Sequence, residues 1–127
     1  TLRGNFAFLD FHTKDERLLR RPSEQGSVQV TYQRPVLRGT DDLLTFNLNV
    51  DVIGDRDDID PQLGSRTNPM YARTDIAVSY AFPVHFLIFS RLMVYSKIGN
   101  LFNRDYQEVL GFKSPPLNYL AGLSVTF

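Results

Sequence analysis

The chain has 127 residues, with Lys plus Arg and Asp plus Glu both at 14, so its formal net charge is zero. This balance gives no basic surface for a nucleic acid and no acidic tail. Cysteine is absent, which excludes disulfides, thiolate metal sites and a cysteine nucleophile.

Two β-strands are predicted in the first third of the chain, because apolar and polar residues alternate there with a period of two. In residues 1–10 the more apolar row is Leu2, Gly4, Phe6 and Phe8. In residues 26–33 it is Val28, Val30 and Tyr32. The polar stretch 12–25 between them is a predicted loop.

The third and fourth predicted strands cover residues 43–54 and 71–82. Their apolar rows are Leu44, Phe46, Leu48, Val50 and Val52, and then Thr74, Ile76, Val78, Tyr80 and Phe82. The opposite rows carry Asn47, Asn49, Asp51, Arg73 and Asp75. Because neighbouring strands keep their pleats in register, we expect Arg73 or another base on this face to lie near Asp51 or Asp75. Residues 34–42 are a short predicted connection and 55–69 a long loop.

The last two predicted strands cover residues 84–99 and 118–127. The apolar face of the fifth is less regular and consists of Phe86, Ile88, Leu92, Val94 and Ile98. The sixth alternates throughout, with an apolar row of Tyr119, Ala121, Leu123, Val125 and Phe127. A tight turn at 82–85 is predicted between strands four and five. The long connection 100–116 could begin with one helical turn over 100–106, capped by Asn100.

Together these elements predict an all-β fold, an antiparallel six-strand meander with long loops at one end and short turns at the other. Six prolines lie at or beyond the predicted strand ends, where a missing N–H costs little. No amphipathic helix of normal length is predicted. No segment supplies the roughly 20 apolar residues of a transmembrane helix.

Alternation leaves two environments open for the apolar face. In a soluble β-sandwich or small barrel that binds a ligand or partner, this face packs inward. In a membrane barrel it meets lipid, while the polar row lines the lumen. Strands of about ten residues, mid-strand charges, and aromatic residues near strand ends favour the membrane barrel. Since membrane barrels start at about eight strands, we expect the chain to be part of a larger barrel. The absence of a recognisable signal peptide agrees with that expectation.

Residues 97–127 resemble the C-terminal end of TonB-dependent outer-membrane receptors. In that family a strand leads into an Asn-Leu-Phe segment and an acidic-aromatic pair, and a glycine-containing loop precedes a last strand that ends in Phe. The matching positions are Asn100, Leu101, Phe102, Asp105, Tyr106, Gly111, Phe112 and Phe127. Segments 6–33, 52–61 and 71–82 are similar to upstream strands and loops of the family, most of all in its vitamin B12 receptor branch.

This resemblance implies that residues 1–127 are the last six strands of a 22-stranded barrel, without the plug domain or the TonB box. Family members take up a scarce nutrient, such as cobalamin or a ferric siderophore, across the Gram-negative outer membrane. The implied partners are outer-membrane lipid and lipopolysaccharide, the barrel assembly machinery, the rest of the receptor with its plug, and the energy-coupling TonB protein. No nucleic acid and no cofactor is implied. We expect this segment alone not to transport anything.

The resemblance also assigns a role and an orientation to the last strand. Tyr119, Leu123, Val125 and Phe127 match the row that the outer-membrane assembly machinery reads in this family. In the family's orientation, loops 12–25, 55–69 and 100–116 are extracellular. The turns near 34–42 and 82–85 are then periplasmic.

The remaining polar clusters do not indicate an enzyme. The acidic run Asp55, Asp57, Asp58 and Asp60 lacks the glycine and closing glutamate of an EF-hand, so we interpret it as a solvated loop, not a metal site. His12 and His85 have no third ligand or nucleophile nearby in the sequence. The basic run 17–22 is interpreted as a solvated loop, with contact to lipopolysaccharide as the alternative.

Overall fold

The computed structural model describes residues 1–11, 19–37, 40–86 and 89–127. These ranges contain eight β-strands and no helix. The strands are β1 (Leu2–Asp10), β2 (Glu24–Arg34), β3 (Leu43–Ile53), β4 (Arg56–Asp60), β5 (Gly64–Asn68), β6 (Tyr71–Phe86), β7 (Phe89–Gly99) and β8 (Asn118–Thr126).

Six of these strands form one antiparallel sheet in the order β1-β2-β3-β6-β7-β8. Every neighbour in the sheet is also the next strand of the sheet along the chain, so the predicted six-strand meander is confirmed. The pairing keeps apolar rows aligned across all six strands. One such row runs through Gly4, Val30, Leu48, Ile76, Ile98 and Tyr119.

Antiparallel connectivity places alternate connections at opposite ends of the sheet. The first connection (11–23), the hairpin connection (54–70) and the third connection (100–117) lie at one end, which we call the long-loop end. The β2–β3 connection (35–42) and the adjoining ends of β6 and β7, at Phe86 and Phe89, lie at the other.

The hairpin connection corrects one prediction, because residues 55–69 were expected to be a long loop between two of six strands. β4 and β5 instead pair with each other as a separate two-stranded sheet, from Arg56 opposite Asn68 to Asp60 opposite Gly64. The turn is built by Asp60 Oδ1, which accepts the N–H groups of Gln62 and Leu63 at 2.8 and 3.0 Å. Gly64 follows with a φ of 79°, a conformation that glycine adopts without strain.

The boundary between the fourth and fifth predicted strands was wrong. β6 continues to Phe86 and β7 begins at Phe89, so the expected turn at 82–85 lies inside β6. Pro83 pairs with Arg91 and Phe86 with Phe89, with a register shift between the two pairs. That irregularity explains why a proline, which cannot donate to the ladder, is tolerated within the strand. The predicted facing of Leu87 and Ile88 lies outside the described residues.

The single helical turn predicted at 100–106 is also wrong. Asn100 and Asn103 have φ values of 52° and 48°, and the N–H of Asn103 donates to the carbonyl of Asn100 at 2.8 Å. A single hydrogen-bonded turn therefore forms, with a left-handed residue at each end, and no helix follows it. Asparagine tolerates such backbone angles better than other non-glycine residues, because its short side chain can bond to the local backbone.

Candidate functional site

The apolar face of the six-stranded sheet is exposed. Phe6 is 74% exposed and Leu123 69%, although large apolar side chains of this kind are normally buried. Other exposed members of the same face are Leu2, Phe8, Val28, Tyr32, Val52, Val78, Val94, Ile98, Tyr119 and Val125. We call this surface the outer face.

Nothing among the described residues covers the outer face. The chain exposes 9528 Å², whereas a compact monomer of 14.6 kDa exposes about 6,900 Å². The excess arises because the sheet is a single layer. Tyr106 is the only hydrophobic residue classed as buried in the described ranges, and it lies in the third connection.

The opposite surface, the inner face, carries a chain of ion pairs across three strands. Arg73 on β6 lies between two carboxylates, with Nη2 3.4 Å from Asp51 Oδ2 and Nε 3.4 Å from Asp75 Oδ1. Lys97 on β7 places its Nζ 3.5 Å from the other oxygen of Asp75. The expected proximity of Arg73 to Asp51 and Asp75 is therefore confirmed.

Polar side chains extend this inner face onto β2 and β3. The Asn49 side-chain amide donates to Asp51 Oδ2 at 2.7 Å. One strand further on, the hydroxyl of Thr31 donates to Asn47 Oδ1 at 2.7 Å. Together with the ion pairs, these bonds form a continuous polar surface that is partly open to water. The predicted separation of Leu48 and its apolar row from Asn49 and its polar row is confirmed.

The long-loop end is organised around Asp58, which sequence reasoning left in a solvated acidic run. Its side chain is 0% exposed, so that interpretation is wrong for this residue. Asp58 Oδ1 accepts hydrogen bonds from Arg20 Nε at 2.8 Å and from the N–H of the next residue, Ile59, at 2.7 Å. Oδ2 accepts the N–H of Leu110 at 2.8 Å. Arg20, from the basic run also interpreted as solvated, is therefore an ion-pair partner.

The Asp58 carboxyl is held in its charged form. Burial works against ionisation, but the hydrogen bonds from Arg20, Leu110 and Ile59 and the charge of Arg20 outweigh it. The net effect lowers the pKa of Asp58 from 3.8 to about 2. Such a carboxylate acts as a structural acceptor at neutral pH and cannot serve there as a proton donor.

A second set of contacts joins the hairpin connection to the third connection. Arg56, which is 4% exposed, donates through Nη2 to the carbonyls of Gln107 and Glu108, both at 2.7 Å. The amide of Asn68 donates to the carbonyl of Gln107 at 2.8 Å. Tyr106 stacks on the first residue of β6, Tyr71, with ring centroids 4.3 Å apart. The third connection is thereby fixed against the hairpin and the inner face.

The motif residues of the third connection divide into buried and exposed groups. Asn100 is 2% exposed, and its side chain bonds to the N–H and carbonyl of Arg104 at 2.9 Å and to the carbonyl of Pro115 at 3.3 Å. Its own N–H donates to Asp75 Oδ1 at 3.0 Å. Gly111 has a φ of 85°, and an added Cβ would lie 2.8 Å from Pro61. Leu101 is partly buried, while Phe102, Asp105 and Phe112 are exposed.

The four residues matched to an assembly signal share the outer face of β8. Tyr119, Leu123 and Val125 pair with Ile98, Val94 and Leu92 of β7. Phe127 follows β8 and is 76% exposed. The structure thus brings these four side chains into one exposed row, which starts with Tyr119 beside the third connection and ends with Phe127 at the opposite end of β8.

The short connection 35–42 contains a second buried acid that sequence reasoning missed. Asp42 accepts hydrogen bonds from the N–H groups of Val36 and Leu37 and from the hydroxyls of Thr40 and Tyr80, at 2.8 to 3.2 Å. Burial opposes ionisation, but these four donors outweigh it and lower the pKa of Asp42 from 3.8 to about 2. No local sequence signal distinguishes it from the adjacent, exposed Asp41.

The described ranges were compared with two simple patterns, a metal-binding cluster and a membrane-crossing helix. No three His, Cys, Asp or Glu side chains come together there in a way that could hold a metal ion. None of these segments is a helix long and apolar enough to cross a membrane.

Comparisons with protein-family models, with curated proteins and with solved structures each find no match. The two faces of the sheet and the contacts at its long-loop end are therefore the features that bear on function.

Proposed function

We propose that the chain forms the last six strands of a 22-stranded β-barrel in a TonB-dependent outer-membrane receptor. The complete receptor would take up a scarce nutrient, such as cobalamin or a ferric siderophore, at the expense of energy delivered through the TonB protein. The six strands alone would not transport it. In the cell they would lie in the Gram-negative outer membrane.

The observation that carries this proposal is the exposed apolar outer face. A sheet in water would gain about 25 cal/mol for each Å² of apolar surface that a second layer covered, which is why soluble sheets are covered on at least one face. Acyl chains supply the same covering in a membrane. The outer face spans all six strands of the sheet, which suits a continuous lipid contact better than a local binding patch.

The inner face agrees with a water-filled lumen. The carboxyl group of Asp75 is mostly buried between Arg73 and Lys97, while the side chain of Lys97 is half exposed. Such an arrangement is unfavourable in lipid, where a charge costs several kcal/mol, but suits a hydrated barrel interior. In the proposed receptor, this surface would face the plug.

The free edges of β1 and β8 call for more strands in this setting. Each has a partner on only one side among the described residues. Unpaired N–H and C=O groups in the hydrocarbon region cost several kcal/mol each, so the remaining strands of the barrel would have to pair with these edges.

The long-loop end would face outward, toward nutrient and lipopolysaccharide. The outer face of β8, with Tyr119, Leu123, Val125 and Phe127, would be read by the barrel assembly machinery. Both assignments derive from the family resemblance.

The second candidate function is a soluble β-sandwich or small barrel that binds a ligand or partner. It requires an apolar layer over the outer face, and no described segment supplies one. The two candidates differ most clearly in their behaviour without detergent.

The test is purification of the chain with and without detergent micelles. The barrel proposal predicts a dispersed, β-rich chain in micelles that aggregates when detergent is removed. A chain that stays monomeric in detergent-free buffer and unfolds cooperatively would contradict the barrel proposal and favour the soluble module.

A further inference from the structure

The long-loop end contains one carboxylate that is shared between separate connections. Asp58 stands on β4 in the hairpin connection. Its Oδ1 binds Arg20 of the first connection, and its Oδ2 binds the backbone of Leu110 in the third. The side chain thus bonds to residues 38 positions before it and 52 positions after it in the sequence.

Arg20 of the first connection is held by β4 through two bonds. Besides the side-chain bond, the N–H of Arg20 donates to the carbonyl of Asp57 at 2.7 Å. Arg20 holds a left-handed backbone with a φ of 63°, which is unfavourable for arginine and has to be supported by such contacts. The Arg20 side chain is 57% exposed, so water can hydrate its guanidinium group once the bond to Asp58 is broken.

Water cannot hydrate the Asp58 carboxylate in the same way. Its side chain is fully buried, and its charge is balanced by the guanidinium of Arg20 and by two backbone N–H groups. When Arg20 leaves, the carboxylate must either remain desolvated with fewer donors or draw in water by moving away from Leu110. Both responses weaken the attachment of the third connection.

We propose that Asp58 couples the first connection to the third, so that displacing Arg20 loosens residues 104–117 without unfolding the sheet. This inference rests on the contacts alone and holds for either candidate function. A molecule that binds at the long-loop end and engages Arg20 would therefore change the mobility of a segment it does not touch.

The experiment uses limited proteolysis of the full chain with a lysine-specific endoprotease, in detergent micelles or in detergent-free buffer, whichever keeps the chain folded and dispersed. Lys14 is replaced by arginine in every chain, so that Lys97 and Lys113 are the two target sites. Lys113 is exposed in the third connection, and Lys97 lies in β7, so one digestion reports on the connection and on the sheet. Three variants are compared with the parent chain: Arg20→Gln, Asp58→Ala and their combination. Arg21→Gln is the matched control, because the adjacent Arg21 lies over the Phe11 ring at 5.5 Å.

Arg20→Gln is expected to speed cleavage after Lys113 by about tenfold, the effect of one charge-assisted hydrogen bond on a local opening equilibrium. Arg21→Gln should leave that rate unchanged. Because Arg20 acts through Asp58, the double variant should be cleaved after Lys113 as fast as Asp58→Ala alone.

Two results would overturn the coupling. One is an Arg20→Gln chain that is cleaved after Lys113 no faster than the Arg21→Gln chain. The other is an equal acceleration at Lys97, because that would report opening of the whole sheet and not of the third connection.

Discussion

A charge placed on the outer face should be far more costly than the same charge placed one residue away on the inner face. Val78 and Ser79 are adjacent near the middle of β6. Val78 belongs to the outer face, between Phe46 and Ser96, and Ser79 belongs to the inner face, between Thr45 and Tyr95. Val78→Arg and Ser79→Arg therefore place the same side chain on opposite faces of the sheet.

In the proposed barrel, the size of the effect follows from the medium that each face would meet. An arginine on the lipid face of a membrane barrel costs roughly 2–4 kcal/mol near the bilayer midplane. On a hydrated inner surface the cost is near the small value typical of surface substitutions, about 0.5 kcal/mol. The expected difference of roughly 1.5–3.5 kcal/mol corresponds to roughly tenfold to 300-fold in the folding equilibrium, at 1.4 kcal/mol for each factor of ten.

The assay is reversible urea unfolding of both variants in lipid vesicles, made in the complete barrel that the six strands would belong to. The folded fraction is measured by heat-modifiable electrophoretic mobility. Val78→Arg should move the midpoint to clearly lower urea, while Ser79→Arg should stay close to the parent. Equal midpoints would refute the assignment of lipid to the outer face, and a larger loss for Ser79→Arg would reverse the two faces.

Three further predictions follow from individual contacts. Gly122→Ala should destabilise the β7–β8 pair by about 1–3 kcal/mol, because the added Cβ would lie 2.5 Å from Tyr95 Cζ. In the control Gly4→Ala, the added Cβ meets nothing within 4 Å, so its effect should be near neutral, and equal urea midpoints for the two variants would contradict the prediction. Because Asp42 has a pKa of about 2 against an ordinary 3.8, its stabilisation of the β2–β3 connection is complete above pH 3.8 and is lost as the pH falls through 2. The protection factors of the bonded Val36 and Leu37 amides, which correct for the intrinsic pH dependence of exchange, should therefore fall over that window, and constant protection factors would contradict this. In the complete receptor, Phe127→Asp should lower the amount of folded protein in the outer membrane without changing ligand affinity per folded molecule, and normal folded levels would remove the assembly role.

The six strands of the large sheet could be predicted because each has one apolar row. Leu44, Phe46 and Leu48 alternate with Thr45 and Asn47, and only a strand sorts them onto two faces. The same alternation, combined with the register of neighbouring strands, was enough to bring Arg73 and the inner-face acids together.

The β4–β5 hairpin could not be predicted in this way. Its residues are mostly polar on both faces, so no periodic signal separates it from a loop. What fixes it is distant in sequence, namely the bonds from Asp58 to Arg20 and Leu110 and from Arg56 to the third connection. In sequence, Asp58 is indistinguishable from the other acids of its run, and only tertiary contacts single it out.

The wrong boundary at 82–85 has a different cause. Pro83 is a reliable breaker of a regular ladder, and the sequence gives no sign that the register shifts beside it. The same limit applies to Asn100. Asparagine suits both a helix cap and a left-handed backbone, and here the contacts with Asp75 and Pro115 hold it in the left-handed conformation.

In the proposed barrel, the outer face would meet lipid while the inner face would meet water. Because the chain has no cysteine, single cysteines can be placed at Leu48 and at Asn49 without removing others, and labelled with an environment-sensitive fluorophore in lipid vesicles. The account predicts that the label at Leu48 is quenched by a lipid-borne quencher and shielded from a water-soluble one, with the opposite result at Asn49. Equal quenching of both labels by the water-soluble reagent would contradict it.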